Sequence, residues 1–175
     1  MVCGGKGVEE CYQYNQGQWQ PSAPMLEVSF HSTCMATSPY HNSTHNFFVL
    51  GGQPPATSIE VLTTNGWKMV SRLPKVFFHN CILNLDDKSI ILIAGAVDNN
   101  WYSKETYIYN TLTDAWTTGP SLANGRYAHG CEKIPESSQS NREVIIVVGG
   151  MGSPQTVEIL DGINNIWKMG VSFFT

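Results

Sequence analysis

Short apolar runs that end in glycine recur along the chain: "MVCGG" to Gly5, "FFVLGG" to Gly52, "IILIAG" to Gly95 and "EVIIVVGG" to Gly150. A second set follows them, "CYQY", "IEVL", "TYIY" and "VEIL", and each of these leads through a polar stretch to a tryptophan. The tryptophans Trp19, Trp67, Trp116 and Trp167 stand 48, 49 and 51 residues apart, leaving only Trp101 off the ladder. The stretches between second run and tryptophan, "NQGQ", "TTNG", "NTLTDA" and "DGINNI", are rich in the Asn, Asp and Gly that tolerate positive φ, so they read as hairpin turns. Beyond each of the first three tryptophans comes a polar or proline-containing loop, then a histidine (His31, His79, His129), and shortly after it a cysteine (Cys34, Cys81, Cys131). The pattern predicts a repeating unit of four strands: a after the histidine, b into the glycines, c before the turn, d from the tryptophan. The units run 31–70, 79–118 and 129–169, with a partial one over 1–20.

The run into Gly150 also has the look of a dinucleotide-binding turn. That fingerprint needs G-x-G-x-x-G opening a helix. Here Gly150 and Gly152 are followed by Gln155 at the third glycine position, and then by "TVEIL", which has no helical period and no cap. The glycines are punctuation of a repeat.

The glycines after an aliphatic strand, the tyrosine-containing strand and the tryptophan at a period near 50 resemble the Kelch repeat, over essentially the whole chain. The resemblance implies an all-β fold of Kelch-type β-propeller blades, three complete and one partial. A four-stranded sheet cannot hide both faces alone, so blades stack, and glycines allow close backbone approach. All four ladder tryptophans are expected in the core. Strand a of the partial blade is supplied by neither end, so the chain is expected to be part of a larger propeller or an open arc, with self-association possible through unclosed edges.

Composition fits short strands and polar turns: 42% of residues are hydrophobic, 14% are charged, and sixteen are glycine. A net charge of −4 without a basic run argues against nucleic acid. No apolar segment reaches membrane-spanning length and no signal peptide is visible, so no membrane association and a cytoplasmic location are expected. Cys34, Cys81 and Cys131, at equivalent positions of separate units, are expected to be small buried hydrophobes. Zinc on the His–Cys pairs is not expected, because each pair belongs to a different unit. No cofactor is expected.

In an up-and-down meander the b–c and d–a loops emerge at one rim, and variable loops on a rigid scaffold are where binding residues collect. The resemblance implies a role in recognition, with this rim holding a protein or peptide through residues just after the glycines and around an arginine before strand a. It extends to substrate recognition for a ubiquitin-ligase adaptor. The candidate partner-binding residues are Gln53 and Met151 after glycines, Arg126 at the arginine position, with Val28 and Val76 as its counterparts, and the aromatics Phe77 and Tyr127 beside it. Trp101 and Tyr102 are added because "AVDNNWYSKE" is the longest b–c loop and carries the one tryptophan off the ladder. The alternative is an enzyme, since the family includes copper radical oxidases and sialic-acid isomerising enzymes. No carboxylate–histidine set stands out from the repeat to carry such chemistry, and the chain is expected not to be an enzyme.

Overall fold

The computed structural model describes residues 1–5, 8–27, 33–37, 46–52, 57–97, 100–137, 142–162 and 164–171, with the backbone alone for 5, 33–37, 46 and 100. It is all-β, built of four antiparallel sheets. The first has three strands, β1 (Val2–Gly5), β2 (Val8–Asn15) and β3 (Gln18–Ser22). The second runs β4 (Thr33–Thr37), β5 (Asn46–Leu50), β6 (Ser58–Thr63) and β7 (Gly66–Arg72). The third is β8 (Cys81–Asp86), β9 (Ser89–Val97), β10 (Asn100–Asn110) and β11 (Ala115–Thr118). The fourth is β12 (Gly130–Pro135), β13 (Glu143–Val148), β14 (Val157–Asp161) and β15 (Ile166–Met169). Every sheet is a meander, each strand pairing with its neighbour in sequence. Among the described residues no helix is long and apolar enough to cross a membrane.

The turn chemistry acts as the sequence suggests. Asn15 pairs with Gln18 around Gln16 and Gly17, both at positive φ (47° and 82°), the two-residue geometry that matches strand twist. The glycine that closes an apolar run answers a different need. A Cβ on Gly95 would stand 2.8 Å from Cβ of Asn80 and 2.9 Å from the Phe78 carbonyl oxygen. One on Gly150 would stand 2.7 Å from Cβ of His129 and 2.8 Å from the Tyr127 carbonyl oxygen. The strand leaving the core passes directly against the chain entering the first strand of the same sheet, and only glycine fits.

These contacts correct the alignment of the repeats. Gly52 donates its N–H to Phe77 and Gly95 donates its own to Arg126, so Phe77 and Arg126 are equivalent, not Val76 and Arg126. His79 and Ala128, both at φ 52°, then correspond, and Asn80 matches His129. The histidine and cysteine ladders are therefore one residue out of step between the third and fourth sheets. Because successive strand residues face opposite sides, a one-residue offset flips a side chain to the other face. Cys81, opposite Ile93, and Cys131, opposite Val147, both face the cluster that joins the two sheets. They meet there as a disulfide between the sheets, and a second disulfide, Cys3–Cys11, links β1 to β2. The expectation that Cys81 and Cys131 are separate buried hydrophobes fails for this reason. The Cys34 side chain lies outside the described residues.

Three apolar clusters stack the sheets. Cys11 and Met25 meet Val49 and Trp67. Phe48, Leu50, Ile59 and Val61 of the second sheet meet Ile82, Ile90, Leu92 and Tyr109 of the third. Ile91 and Ile93 meet Ile145, Val147 and Leu160 of the fourth. Of the ladder tryptophans, Trp67 is buried and Trp116 and Trp167 pack half-buried on these clusters, but Trp19 is 56% exposed, contrary to the expected core position. The indoles also do more than fill space. Trp67 donates its Nε1–H to the Ala23 carbonyl and Trp167 to the Pro120 carbonyl, each at 2.8 Å.

Candidate functional site

The described part of the stretch "AVDNNWYSKE" is strand. β9 continues to Val97 and β10 resumes at Asn100, so Trp101 and Tyr102 sit on a strand. Its pairing with β9 is irregular between Asn100 and Ser103 and between Ser103 and Thr106. That frees the start of β10 to bond a second neighbour, the segment before the fourth sheet: Arg126 donates to the Ser103 carbonyl at 3.0 Å and Leu122 to that of Lys104 at 2.9 Å. The start of β10 and the segment before the fourth sheet are thereby zipped together at one end of the meander.

Aromatic rings gather at this seam. Trp101 stands edge-on to Phe78 (5.5 Å between centroids) and to Tyr127 (5.6 Å). Tyr127 also meets Tyr102 at 5.7 Å and His79 at 5.9 Å, tilted in both cases. Edge-to-face contacts at such distances are the favoured geometry of aromatic pairs. Met151 joins through the backbone, donating to the Tyr127 carbonyl at 2.9 Å and accepting from its N–H at 3.3 Å. Trp101 and Tyr102 are each 49% exposed and Met151 is 55% exposed, so the cluster presents apolar surface to solvent. Tyr102 lies against Gly125 and Gly152, where an added Cβ would clash with its backbone and ring respectively. These residues, with Lys104, Asn124 and Ser153, line an open groove beside the rings.

Beneath the seam lies a buried ion pair. Arg126 Nη2 is 2.7 Å from Glu158 Oε1, and neither side chain reaches solvent. Arg126 further donates to the Gly149 carbonyl at 2.8 Å and to Thr156 Oγ1 at 2.9 Å. Glu158 accepts the N–H groups of Ala123 and Asn124 at 2.6 and 3.0 Å. The carboxylate clamp recurs in the second sheet, where Glu60 accepts from Leu26 and Glu27 at 2.7 and 2.8 Å. The carboxyl of Glu60 is raised above its usual range mainly by desolvation, against the two amide hydrogen bonds. Nearby His129 is buried, and desolvation, helped by the Arg126 charge, lowers its imidazole to about 4.

The structure thus brings together Trp101, Tyr102, Tyr127 and Met151. It does not bring Arg126 or Phe77 to the surface. Both are fully buried at equivalent positions, Arg126 with its fork committed to Glu158, Thr156 and Gly149, and Phe77 against Tyr107 at 5.5 Å. Their expected part as partner contacts is corrected: they support the rim from below. Gln53, with Val28 and His31, lies outside the described residues. Sequence reasoning missed Glu158 as the arginine's partner. A glutamate inside the apolar run "VEIL" was the available signal, because a charge on a buried strand needs a partner.

Among the described residues no group of three His, Cys, Asp or Glu comes together to hold a metal. No protein-family model matches this chain, and no curated protein matches its sequence.

Proposed function

We propose that the four sheets are blades of a Kelch-type β-propeller, and that the chain is a recognition module holding a segment of a partner protein on the rim built from Trp101, Tyr102, Tyr127 and Met151. One observation carries this reading: three aromatic rings and a methionine converge, partly exposed, on a seam fixed by backbone hydrogen bonds and a buried ion pair. Tryptophan and tyrosine dominate interface energetics because they offer large contact areas at small entropic cost. Anchors held in place before binding lose little freedom when a ligand arrives. The repeat pattern and the four meanders support the propeller assignment. The role is binding rather than catalysis, in keeping with a substrate-recognition part of a ubiquitin-ligase adaptor.

The test starts from a partner captured by the wild-type chain and then titrated against purified variants. The double variant Trp101→Ala/Tyr102→Ala is expected to lose on the order of 2 kcal/mol or more of binding, about thirtyfold in Kd, at unchanged fold. Equal affinity of the variant and the wild type would place the binding surface elsewhere.

A further inference from the structure

The fourth sheet meets the third much as the third meets the second, but with a smaller side chain at one central position. Ile90 lies five residues before Gly95 and opposite Tyr109, and Ile145 lies five before Gly150 and opposite Leu160. Leu160 therefore stands where the third sheet has Tyr109, and Trp167 opposes it as Trp116 opposes Tyr109. The turn that follows keeps the match. Asp114 and Asn165 each precede their tryptophan by two residues, at φ 54° and 53°. By the same count Gly162 corresponds to Thr111.

In the third sheet these positions are filled. Tyr109 is fully buried, its ring 5.0 Å from that of Trp116 and its hydroxyl donating to Asp114 Oδ1 at 2.7 Å. Thr111 is buried as well, its hydroxyl donating to the Lys88 carbonyl at 3.0 Å. The fourth sheet has neither the phenol nor the threonine side chain, and a cavity of about 290 Å³ lies there instead. Leu85 of the third sheet and Val144, Ile145, Leu160 and Gly162 of the fourth line it. Lys133 and Glu143, paired at 2.9 Å, complete the lining. Lys133 also donates across the joint to the Leu85 carbonyl at 3.4 Å, and the Cys81–Cys131 disulfide ties the same two strands, β8 and β12. A gap left by a missing ring persists where its walls are held apart.

We infer that this cavity binds a small free phenol, one ring carrying a hydroxyl, in the place that Tyr109 fills in the third sheet. Cavities walled by Leu and Ile take up single aromatic rings, and this one has the size of a small-molecule site. The ring packs on Leu85, Ile145 and Leu160. The hydroxyl is directed to Asn165, whose amide oxygen can accept a hydrogen bond as the Asp114 carboxylate does. The hydroxyl also separates this site from a purely apolar void, which would favour the ring without it, since an unpaired hydroxyl is costly to bury. Glu143 and Gly162 lie at the end of the fourth sheet opposite Met151, so the inference is independent of the rim.

Titration of the full, disulfide-bonded chain with p-cresol, followed by methyl NMR, tests it, with toluene as the ring that lacks the hydroxyl. The wild type is expected to bind p-cresol saturably at millimolar concentration or below, with shifts centred on Leu85, Ile145 and Leu160. Toluene is expected to bind at least about threefold more weakly, and Leu160→Tyr, which supplies the ring from the chain itself, to weaken p-cresol binding by about tenfold or more. Absence of saturable binding to the wild type overturns the inference, as does undiminished binding to Leu160→Tyr. Toluene binding as tightly as p-cresol overturns the assignment to phenols. Should Leu160→Tyr misfold by circular dichroism, Gly162→Thr takes its place, because a Cβ added at Gly162 meets nothing within 4 Å. It copies Thr111 at the cavity wall and is expected to weaken p-cresol by about threefold or more, with unchanged affinity overturning the site.

Discussion

Arg126 and Glu158 form an ion pair at 2.7 Å with no exposure of either side chain, and the third sheet fills the same two positions with Phe77 and Tyr107. The replacement is complete in its detail. Glu158 accepts the N–H of Ala123, and the residue that corresponds to Ala123 before the third sheet is Pro74, which has no N–H to satisfy. One joint is solved with charge, the other with aromatic packing.

Arg126→Ala is expected to cost about 3–5 kcal/mol, because it strands a buried carboxylate. The transplant Arg126→Phe/Glu158→Tyr/Ala123→Pro, which copies the third sheet, is expected to recover most of that loss, since buried pairs are often replaceable by well-packed apolar groups. Urea midpoints of the two variants against the wild type decide the matter. A transplant no better than Arg126→Ala would mean that the two joints are not interchangeable.

Gly150→Ala and Gly95→Ala are each expected to destabilise by clearly more than Gly17→Ala. All three glycines have positive φ, so all incur backbone strain of about 1 kcal/mol. Only Gly17 has nothing within 4 Å of the added methyl. Thermal unfolding of the three variants separates strain from clash.

His129 makes stability depend on pH. Its imidazole is lowered from 6.5 to about 4 in the fold, so between those values the unfolded chain binds a proton that the native one does not. Stability is full above pH 6.5 and falls as the pH drops toward 4, by up to roughly 3 kcal/mol. His129→Asn, which copies Asn80 of the third sheet, is expected to flatten that part of the curve, while Glu60, titrating in both proteins, cancels in the comparison. Parallel slopes in denaturation at pH 4.5, 5.5 and 7 would show that His129 is not the group responsible.

Reducing the two disulfides is expected to have unequal effects. In the chain-entropy picture a link across 50 residues is worth about 4 kcal/mol and one across 8 about 2.5 kcal/mol. Cys81→Ser/Cys131→Ser is therefore expected to lower the denaturant midpoint more than Cys3→Ser/Cys11→Ser. Peptide mapping without reductant is expected to show Cys81 and Cys131 joined. Disulfides persist in oxidising compartments and are reduced in the cytosol, so the thiol count of the chain trapped by alkylation in its cell reports where it works.

The strands, their meander order and the tight turns were legible because each rests on local chemistry: β-branched runs, glycines at positive φ, tryptophans at a fixed step. What failed was non-local. His79 and His129 look equivalent in sequence, and only the contacts of Gly95 and Gly150 reveal the one-residue offset that points Cys81 at Cys131. Arg126 lies in a loop, where charge normally means solvent, and its burial depends on a glutamate 32 residues away. The polar neighbours of Trp101 read as a loop in the sequence, yet the strand pairs on both sides and carries it into a ring cluster. Trp19 carries every local mark of its counterparts and differs only in having no sheet before it among the described residues.

The indole bond that reaches back four residues past the preceding tryptophan has a consequence for how such a chain could have arisen. Donor and acceptor both lie within one stretch of about 50 residues, so a copy of that stretch brings a plug and a socket together, as Trp67 and Trp167 show, although Trp116 leaves its own bond unmade. Tandem duplication of the coding segment would therefore lengthen the array without any new surface having to evolve, and later drift, as at Phe77 and Tyr107, could vary one junction while its neighbours held.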